Sequence, residues 1–366
     1  MGEQPEKRVT WAELFFDLIF VFAITQVSAL LRADHSLEGI GRALVVFIPV
    51  YWVWVATSLH SNRQDIENPL DRLGVFSVGL CALFMGLALP QAYGDRGILF
   101  GGAYWVSRLV IQALVLRWQY GWLNGFGVAA AVTGPMLLLG GFLDGTARIA
   151  LWAGAALVDT AVPLVLRRRL AAAAVRFEPS HLPERFGLLV IVALGESIVA
   201  IGAPATESHG LGVAELTAVS GAFVLAAGLW WVYFAFAASA MRFAVATSAR
   251  QVDTVREVLS YAHIGLIGGV IAVAVGMHDA VAHPGHHLPA GVAGLLFGGT
   301  ALYLGMFGYT RWRMFRLVST TRLGTAAAVL AVLPLGLHLP ALASLWLLAG
   351  LLTGLNALEW ARARRS

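Results

Sequence analysis

Apolar stretches about as long as a bilayer is thick alternate along the chain with short polar connections. A membrane-spanning helix needs roughly 20 consecutive, mostly apolar residues, and twelve segments of about this length are present. The pattern therefore predicts an all-α polytopic membrane protein with about twelve transmembrane helices. The predicted spans are residues 13–31, 43–59, 73–90, 98–116, 124–142, 149–166, 185–201, 213–238, 258–277, 291–309, 323–338 and 341–358.

Composition strengthens this prediction and excludes other classes of protein. Only 13% of the 366 residues are charged and 58% are hydrophobic, whereas a soluble domain carries about 25% charged residues. The single cysteine, Cys81, excludes an intrachain disulfide and a cysteine-based metal cluster. Walker A, dinucleotide-binding and H-E-x-x-H motifs are absent from the sequence. We therefore expect neither an enzyme nor a bound cofactor or metal, and no ATP-driven transport.

The basic residues are distributed unevenly between the two sides of the membrane. With an internal N-terminus, 20 of the 25 Lys and Arg residues fall on one side, 4 on the other and one within a span. Basic residues concentrate in the cytoplasmic loops of membrane proteins, so both termini are predicted to be cytoplasmic. The four on the outer side are Arg32, Arg42, Arg96 and Arg148, and the one within a span is Arg108.

The two halves of the chain resemble each other. Residues 52–54 (WVW) followed by Arg63 match residues 231–233 (WVY) followed by Arg242 at one constant offset, and an LFGG motif occurs in both halves. Six spans is an even number, so both copies enter the membrane from the same side. The sequence predicts two parallel six-helix repeats, residues 1–176 and 177–366.

Span 1 carries two carboxylates one helical turn apart. Glu13 and Asp17 fall on the same helical stripe as Ile24 and Ser28. A charge in the hydrocarbon core is costly, so each one needs a partner or a wet cavity. Two interpretations stay open: Asp17 pairs with a basic residue near the inner interface, or the stripe lines an ion or proton path.

Spans 4, 6 and 7 contain further intramembrane charges. Arg108 lies in span 4, and an arginine at mid-bilayer is hard to tolerate without a carboxylate. One interpretation is therefore an ion pair between Arg108 and Glu196 of span 7. The other is stepwise cation passage, with Asp17 and Glu196 at depths that differ by about 12 Å in the repeat alignment. Asp159 in span 6 is interpreted as an inter-helix hydrogen-bonding residue.

One histidine and two loops are further candidates. His263 follows Tyr261 closely and is either a protonation switch or a plain hydrogen-bonded histidine. The inner loop 60–72 mixes charges of both signs, which fits a salt-bridged gate or cap as well as a solvated loop. Its polar members include Asn62, Arg63, Asp65 and Arg72. The outer loop 278–287 holds four histidines, but their spacing fits no structural zinc pattern, so no metal site is predicted.

Two long motifs carry a resemblance to a known family. Residues 13–26 (ELFFDLIFVFAITQ) and 184–199 (ERFGLLVIVALGESIV) resemble signatures of the bacterial low temperature requirement A family. The inner loop 60–72 and the segment Tyr261-Ala-His263 are similar to further patterns of that family. The resemblance implies a multi-pass protein of the bacterial inner membrane and no particular mechanism. Ala235 stands where family members often have an acidic residue, which puts any role of that position in doubt.

A second, shorter resemblance has a clearer implication for mechanism. Residues 16–25 (FDLIFVFAIT) look like the first-helix signature of a lysosomal and bacterial potassium/proton channel family. That resemblance implies a pore lined by the first span of each repeat through apolar constrictions. Phe16 replaces the serine of that signature, and Leu188 stands where span 7 would carry the aspartate. A filter shared by both halves is therefore in doubt.

The leading hypothesis is a channel or transporter for a small cation or proton, with spans 1 and 7 at the pathway. The predicted pathway residues are Glu13, Asp17, Phe20, Ile24, Thr25, Glu196, Ser197 and Ile198. The predicted counter-charge and gating residues are Arg108, Asn62, Arg63, Asp65, Arg72, Tyr261 and His263. The first alternative is a non-transporting binding or sensory protein linked to cold or stress tolerance. The second is a membrane enzyme or lipid-handling protein built on Glu196, Ser197 and His263.

The expected partners are set by these hypotheses. They are the lipid bilayer and a small cation or proton as substrate, with no nucleic acid. The sequence leaves open whether the chain forms a homo-oligomer.

Overall fold

The computed structural model describes residues 7–117, 124–167, 176–207, 210 and 212–364. Within these ranges the regular elements are helices, and no β-strand occurs among them. The helices, labelled α1 to α12 in chain order, are Trp11–Ala33, Leu37–Arg63, Pro69–Gln91, Gly97–Leu116, Gly125–Gly141, Gly145–Val165, His181–Thr206, Val213–Thr247, Gln251–Ala282, Ala290–Phe315, Thr320–Gly336 and Ala341–Ala363.

Each predicted span coincides with one of these helices. Ten of them are long and apolar enough to cross a membrane by length and composition, and the two shorter apolar helices are α5 and α11. The prediction of an all-α polytopic membrane protein is therefore confirmed. The start of α7 differs from the prediction: the helix begins at His181, earlier than the predicted residue 185, so its first turns carry polar side chains.

Short polar residues begin several of the helices. Thr10 and Glu13 form a capping box at the start of α1, in which each side chain accepts a hydrogen bond from the backbone N–H of the other. Asn68 caps α3 just before Pro69, and Asn124 caps α5. The capping box fixes the rotation of the first turn of α1, so Glu13 is positioned by the local sequence.

The described residues divide into two compact units. The first is Met1–Leu188 with Val245–Arg256, and the second is Leu189–Ala244 with Glu257–Ser366. This division is based on contacts within the chain, whereas the predicted repeats, 1–176 and 177–366, are based on sequence similarity. The repeat boundaries stay a prediction.

Small residues allow close helix packing in the first unit. There α4 packs on α3 and α5, α1 packs on α2 and α3, and α6 packs on α2 and α5. A Cβ atom at Gly101 of α4 would lie 2.2 Å from the backbone oxygen of Leu137 of α5. Glycine permits this approach because interfaces between membrane helices depend on close backbone packing.

The second unit shows the same order of neighbours along the chain. There α10 packs on α9 and α11, and α12 packs on α8 and α11. Gly269 of α9 and Gly299 of α10 meet closely, since a Cβ at Gly269 would lie 2.9 Å from the oxygen of Gly299. In each unit the third predicted helix packs on the fourth, the fourth on the fifth, and the sixth on the second and the fifth. This shared order supports the proposal of an internal repeat.

Three spans contain a π-helical segment, at Ala129–Thr133 of α5, Tyr233–Ala237 of α8 and Val255–Tyr261 of α9. Such segments interrupt the regular hydrogen-bond ladder and recur at functional sites. The segment in α5 ends at Thr133, which bonds Asp159, and the segment in α8 begins at Tyr233, which bonds a histidine. The π segments therefore accompany buried polar contacts within both units.

One arginine on the predicted outer side has a structural role. Arg148 is buried at the start of α6 and donates to the backbone oxygens of Ala92, Gly94 and Leu143. It thereby ties together the connections after α3 and α5. Three basic residues counted on the inner side lie outside the described residues: Arg168, Arg169 and Arg365.

Candidate functional site

Two buried carboxylates begin the first helix. Glu13 and Asp17 of α1 expose only 1% and 3% of their surface. They lie four residues apart, so they project from the same face of the helix. Burial of two acidic side chains is costly unless cations or hydrogen-bond donors surround them.

Arg185 of α7 is the principal partner of Asp17. Its Nη1 lies 2.6 Å from Asp17 Oδ2, and the Nε1 of Trp54 on α2 donates to Asp17 Oδ1 at 2.8 Å. The guanidinium also stands 5.3 Å from the Trp54 ring centroid and donates to Ser58 Oγ at 3.4 Å. Arg185 is 0% exposed, so its charge is matched inside the protein and not by water.

Glu13 is held by different groups. One of its oxygens, Oε2, accepts hydrogen bonds from the backbone N and the hydroxyl of Thr10 at 2.9 and 3.0 Å. His181 Nε2 lies 3.2 Å from Oε2 and 3.1 Å from Oε1. Arg185 Nε lies 3.6 Å from Oε1. Glu13, Asp17, His181 and Arg185 together form the Glu13 cluster.

Hydrogen bonding fixes the tautomer of His181. Asn62 Oδ1 accepts from the backbone N of Glu178 at 2.9 Å, which turns Asn62 Nδ2 toward His181 Nδ1 at 3.2 Å. Nδ1 is therefore an acceptor and carries no proton, and Nε2–H donates to Glu13. This tautomer is neutral. Arg185 is the permanently charged cation of the Glu13 cluster.

The only lysine of the sequence lies at the rim of this cluster. Lys7 Nζ donates to the backbone oxygens of Ser61 and Gln64 at 2.5 Å each, and to that of Asn62 at 3.2 Å. These carbonyls belong to the C-terminal end of α2, where a cation is favoured. Burial lowers the pKa of Lys7, and the nearby carboxylate of Glu13 partly opposes that shift.

Arg108 belongs to a separate buried group, in which Asp159 of α6 faces it, and the interpretation that pairs Arg108 with Glu196 stays a prediction. Arg108 Nη2 lies 3.3 Å from Asp159 Oδ2, and its Nη1 donates to the Trp52 oxygen at 3.1 Å. The Thr133 hydroxyl donates to Asp159 Oδ1 at 2.9 Å, and the Tyr104 hydroxyl donates to Asp159 Oδ2. Asp159, interpreted from sequence as a hydrogen-bonding residue, also supplies the counter-charge. Tyr104, Arg108, Thr133 and Asp159 together form the Arg108 cluster.

The remaining predicted pathway residues divide by burial. Phe20 and Ile24 are buried on α1, and Thr25 is half-buried. Glu196 and Ser197 are fully buried in the part of α7 that belongs to the second unit. Ile198 is 51% exposed. The role of these residues in a pathway stays a prediction.

Charged contacts join the helices on either side of the inner loop. Asp71 lies 3.3 Å from His60 Nε2 and 3.4 Å from Arg117 Nη1. Of the predicted gating residues in this loop, Asn62 contacts the Glu13 cluster. Three others are exposed and are not placed at a buried gate: Arg63, Asp65 and Arg72.

His263 lies in the second unit in a neutral environment. Its Nε2 is 2.9 Å from the Tyr233 hydroxyl, and its Nδ1 is 3.1 Å from the Val258 oxygen. The carbonyl can only accept, so Nδ1 carries the proton and Nε2 accepts from Tyr233. These contacts match the interpretation of a hydrogen-bonded histidine. Tyr261 is half-buried.

The outer loop brings two of its histidines together. The rings of His283 and His286 stack with centroids 5.9 Å apart. Within the part of the chain that the structure describes, no group of three or more His, Cys, Asp or Glu side chains is arranged to hold a metal ion.

Sequence reasoning missed Arg185, His181 and Trp54 as members of the site. The apolar pattern places Arg185 at the boundary of a span and His181 before it. The available signal was the motif Glu184-Arg-Phe, which corresponds to Glu13-Leu-Phe in the first half. That motif places Arg185 about one turn inside α7, so it could have indicated Arg185 as the cation that pairs with Asp17.

Helix content, apolar spans and buried intramembrane charges define a multi-pass, all-α integral membrane protein. The chain belongs to the bacterial low temperature requirement A protein family, whose sequence profile matches residues 8–357. The resemblance carried by residues 13–26 and 184–199 is thereby confirmed. The chain is 30% identical over 291 residues to an uncharacterized protein of Rhizobium meliloti (strain 1021), an alignment that covers 76% of this chain and 71% of that protein. No solved structure matches the chain.

Proposed function

We propose that the protein moves a small cation or proton across the bacterial inner membrane, with α1 and α7 at the pathway. The observation that carries the proposal is the pair of buried carboxylates in the Glu13 cluster. Glu13 and Asp17 share the one buried guanidinium of Arg185, and the other nearby cation, Lys7, lies at the rim. Ionisable residues within membrane spans commonly mark ion paths and proton relays.

The position of the cluster supports a loading site near one membrane surface. Glu13 lies in the first turn of α1, next to the rim formed by Lys7 and the end of α2. Glu196 lies eleven residues beyond Arg185 on α7, or about 16 Å along the helix axis. Glu196 is a further buried carboxylate of the same helix.

The test is ion flux through the purified full chain in liposomes with an enclosed pH-sensitive dye. We expect the wild type to dissipate an imposed pH or cation gradient. Asp17→Asn and Glu13→Gln should lower the rate by about tenfold or more, equivalent to about 1.4 kcal/mol or more in the barrier. The matched controls are Asp144→Asn and Glu38→Gln, which change exposed carboxylates. Both should give the same flux rate as the wild type. Absence of flux in the wild type under every gradient would overturn the proposal and favour a non-transporting sensory role.

We further propose that both termini lie in the cytoplasm, because the basic residues are concentrated on that side. Lys7 is the only lysine, so a membrane-impermeant amine reagent reports its side directly. We expect labelling of the Lys7 peptide in inverted vesicles and none in intact spheroplasts, with Lys7→Arg as the control that removes the signal. Labelling of the Lys7 peptide in intact spheroplasts would contradict the proposed orientation.

A further inference from the structure

We infer that the cavity beside the start of α1 binds the headgroup of a zwitterionic phospholipid, one that carries a phosphate and a primary ammonium. The inference goes beyond the proposed function and does not depend on it. Its basis is the charge of the side chains that line the cavity, together with the exposed apolar side chains that continue from it along α1 and α3.

The cavity lies where the first membrane helix begins. Its volume is about 710 Å³, and its lining consists of residues 7–11, Asp65 and Glu67. Pockets for small ligands typically have volumes of about 300–1,000 Å³, so the space is sufficient for a lipid headgroup. Trp11, the first residue of α1, is 87% exposed. Because tryptophan is enriched at the boundary between bilayer and water, the cavity belongs at the depth of the phospholipid headgroups.

The lining combines two basic and two acidic side chains, which are Lys7, Arg8, Asp65 and Glu67. A zwitterionic headgroup matches this formal neutrality, whereas an anionic headgroup would face two carboxylates without supplying a cation for them. Asp65 Oδ1 accepts a hydrogen bond from the backbone N of Glu67 at 2.9 Å, so a local turn brings both carboxylates to the cavity. These carboxylates are the groups suited to the ammonium of the headgroup.

Arg8 is the group suited to the phosphate. Lys7 Nζ donates to three backbone oxygens at the end of α2. An ammonium has three donors, so Lys7 has none left for a ligand. Arg8 is exposed and forms no ion pair with any residue that the structure describes. Its guanidinium can bind a phosphate through two parallel hydrogen bonds.

Exposed apolar side chains continue from the cavity into the span. On α1, Phe15 and Leu18 follow Trp11 at spacings typical of one helical face, and all three are exposed. On α3, Leu73 and Phe76 are exposed as well. The rings of Phe15 and Phe76 are in contact, with centroids 5.7 Å apart. The two helices therefore present one apolar surface that begins at the cavity, and the acyl chains of a lipid held there would cover it.

The test is lipid binding by the purified full chain in detergent, measured by native mass spectrometry with wild type and variant in the same solution. The probes are phosphatidylethanolamine, phosphatidylglycerol, which lacks the ammonium, and phosphatidylcholine, whose quaternary ammonium cannot donate a hydrogen bond. We expect the wild type to prefer phosphatidylethanolamine. Glu67→Gln should weaken binding of this lipid about two- to fivefold, because exposed charge pairs contribute little, and should not weaken binding of phosphatidylglycerol. Arg8→Gln should weaken binding of all three lipids.

The matched controls are Glu38→Gln and Arg362→Gln, which make the same charge changes at exposed positions outside the cavity. Both should bind the three lipids as the wild type does. Equal binding of the three lipids by the wild type would overturn the inference, as would wild-type binding in both cavity variants. A preference for phosphatidylglycerol would indicate an anionic-lipid site and would also overturn it. Displacement of phosphatidylethanolamine by soluble glycerophosphoethanolamine at equal concentration would reject a lipid as the ligand.

Discussion

The Glu13 cluster and the Arg108 cluster are both buried in the first unit, yet their charges are balanced differently. The Arg108 cluster pairs one guanidinium with one carboxylate, and both oxygens of Asp159 accept hydrogen bonds. The Glu13 cluster sets two carboxylates against one guanidinium and a neutral imidazole. Burial of a charge in a membrane helix therefore does not by itself indicate function. The balance of charges and donors separates a structural pair from a site that can take up a cation.

The largest effect is expected from breaking the Arg108 cluster. Asp159→Ala leaves a buried guanidinium that cannot shed its proton, so we expect a loss of about 3–5 kcal/mol in unfolding free energy. The double variant Arg108→Leu with Asp159→Leu should recover most of that loss. The measurement is the denaturation midpoint of the purified protein. If the losses of unfolding free energy caused by changing Arg108 and Asp159 separately simply add in the double variant, the two side chains are not coupled.

A smaller effect is expected in the Glu13 cluster, because carboxylates can take up protons when their cation is removed. Arg185→Ala should cost about 1–3 kcal/mol at neutral pH. The folded variant would then bind more protons than the unfolded chain, so its stability should increase as the pH falls toward the range in which free carboxylates titrate.

The control for this pH dependence is the double variant Arg185→Ala with Glu13→Gln, which removes one of the two unbalanced carboxylates. Its stability should vary less with pH than that of Arg185→Ala, as measured by denaturation midpoints across a pH series. Equal pH dependence in the two variants would mean that Glu13 is not the group that takes up the proton.

The smallest effect concerns the rim of the Glu13 cluster. Burial lowers the pKa of Lys7, so at alkaline pH the folded chain loses this proton before the unfolded chain does. Stability should therefore rise with pH between the lowered pKa and the usual lysine value, by roughly 1 kcal/mol or less because solvent screens the rim. Lys7→Met should abolish this increase of stability with pH, as measured by a series of denaturation midpoints. If the increase persists in Lys7→Met, another titrating group causes it.

The twelve apolar segments can be recognised in the amino-acid sequence alone, because a bilayer requires long apolar helices. The face that Glu13 and Asp17 share can be recognised there as well, since helical periodicity relates residues four apart. The capping box at Thr10 is equally local, because both of its residues lie within one turn.

Which charged side chains meet depends on how the helices pack. Asp17 and Arg185 are 168 residues apart in the chain, and helical periodicity does not indicate which of several helices will pack together. For the same reason the sequence offered Glu196 as one partner for Arg108, whereas the structure places Asp159 beside it. The groups that surround Glu13 and Asp17 also become visible only once partners and donors are placed in space, because charge balance is a property of a site and not of a segment.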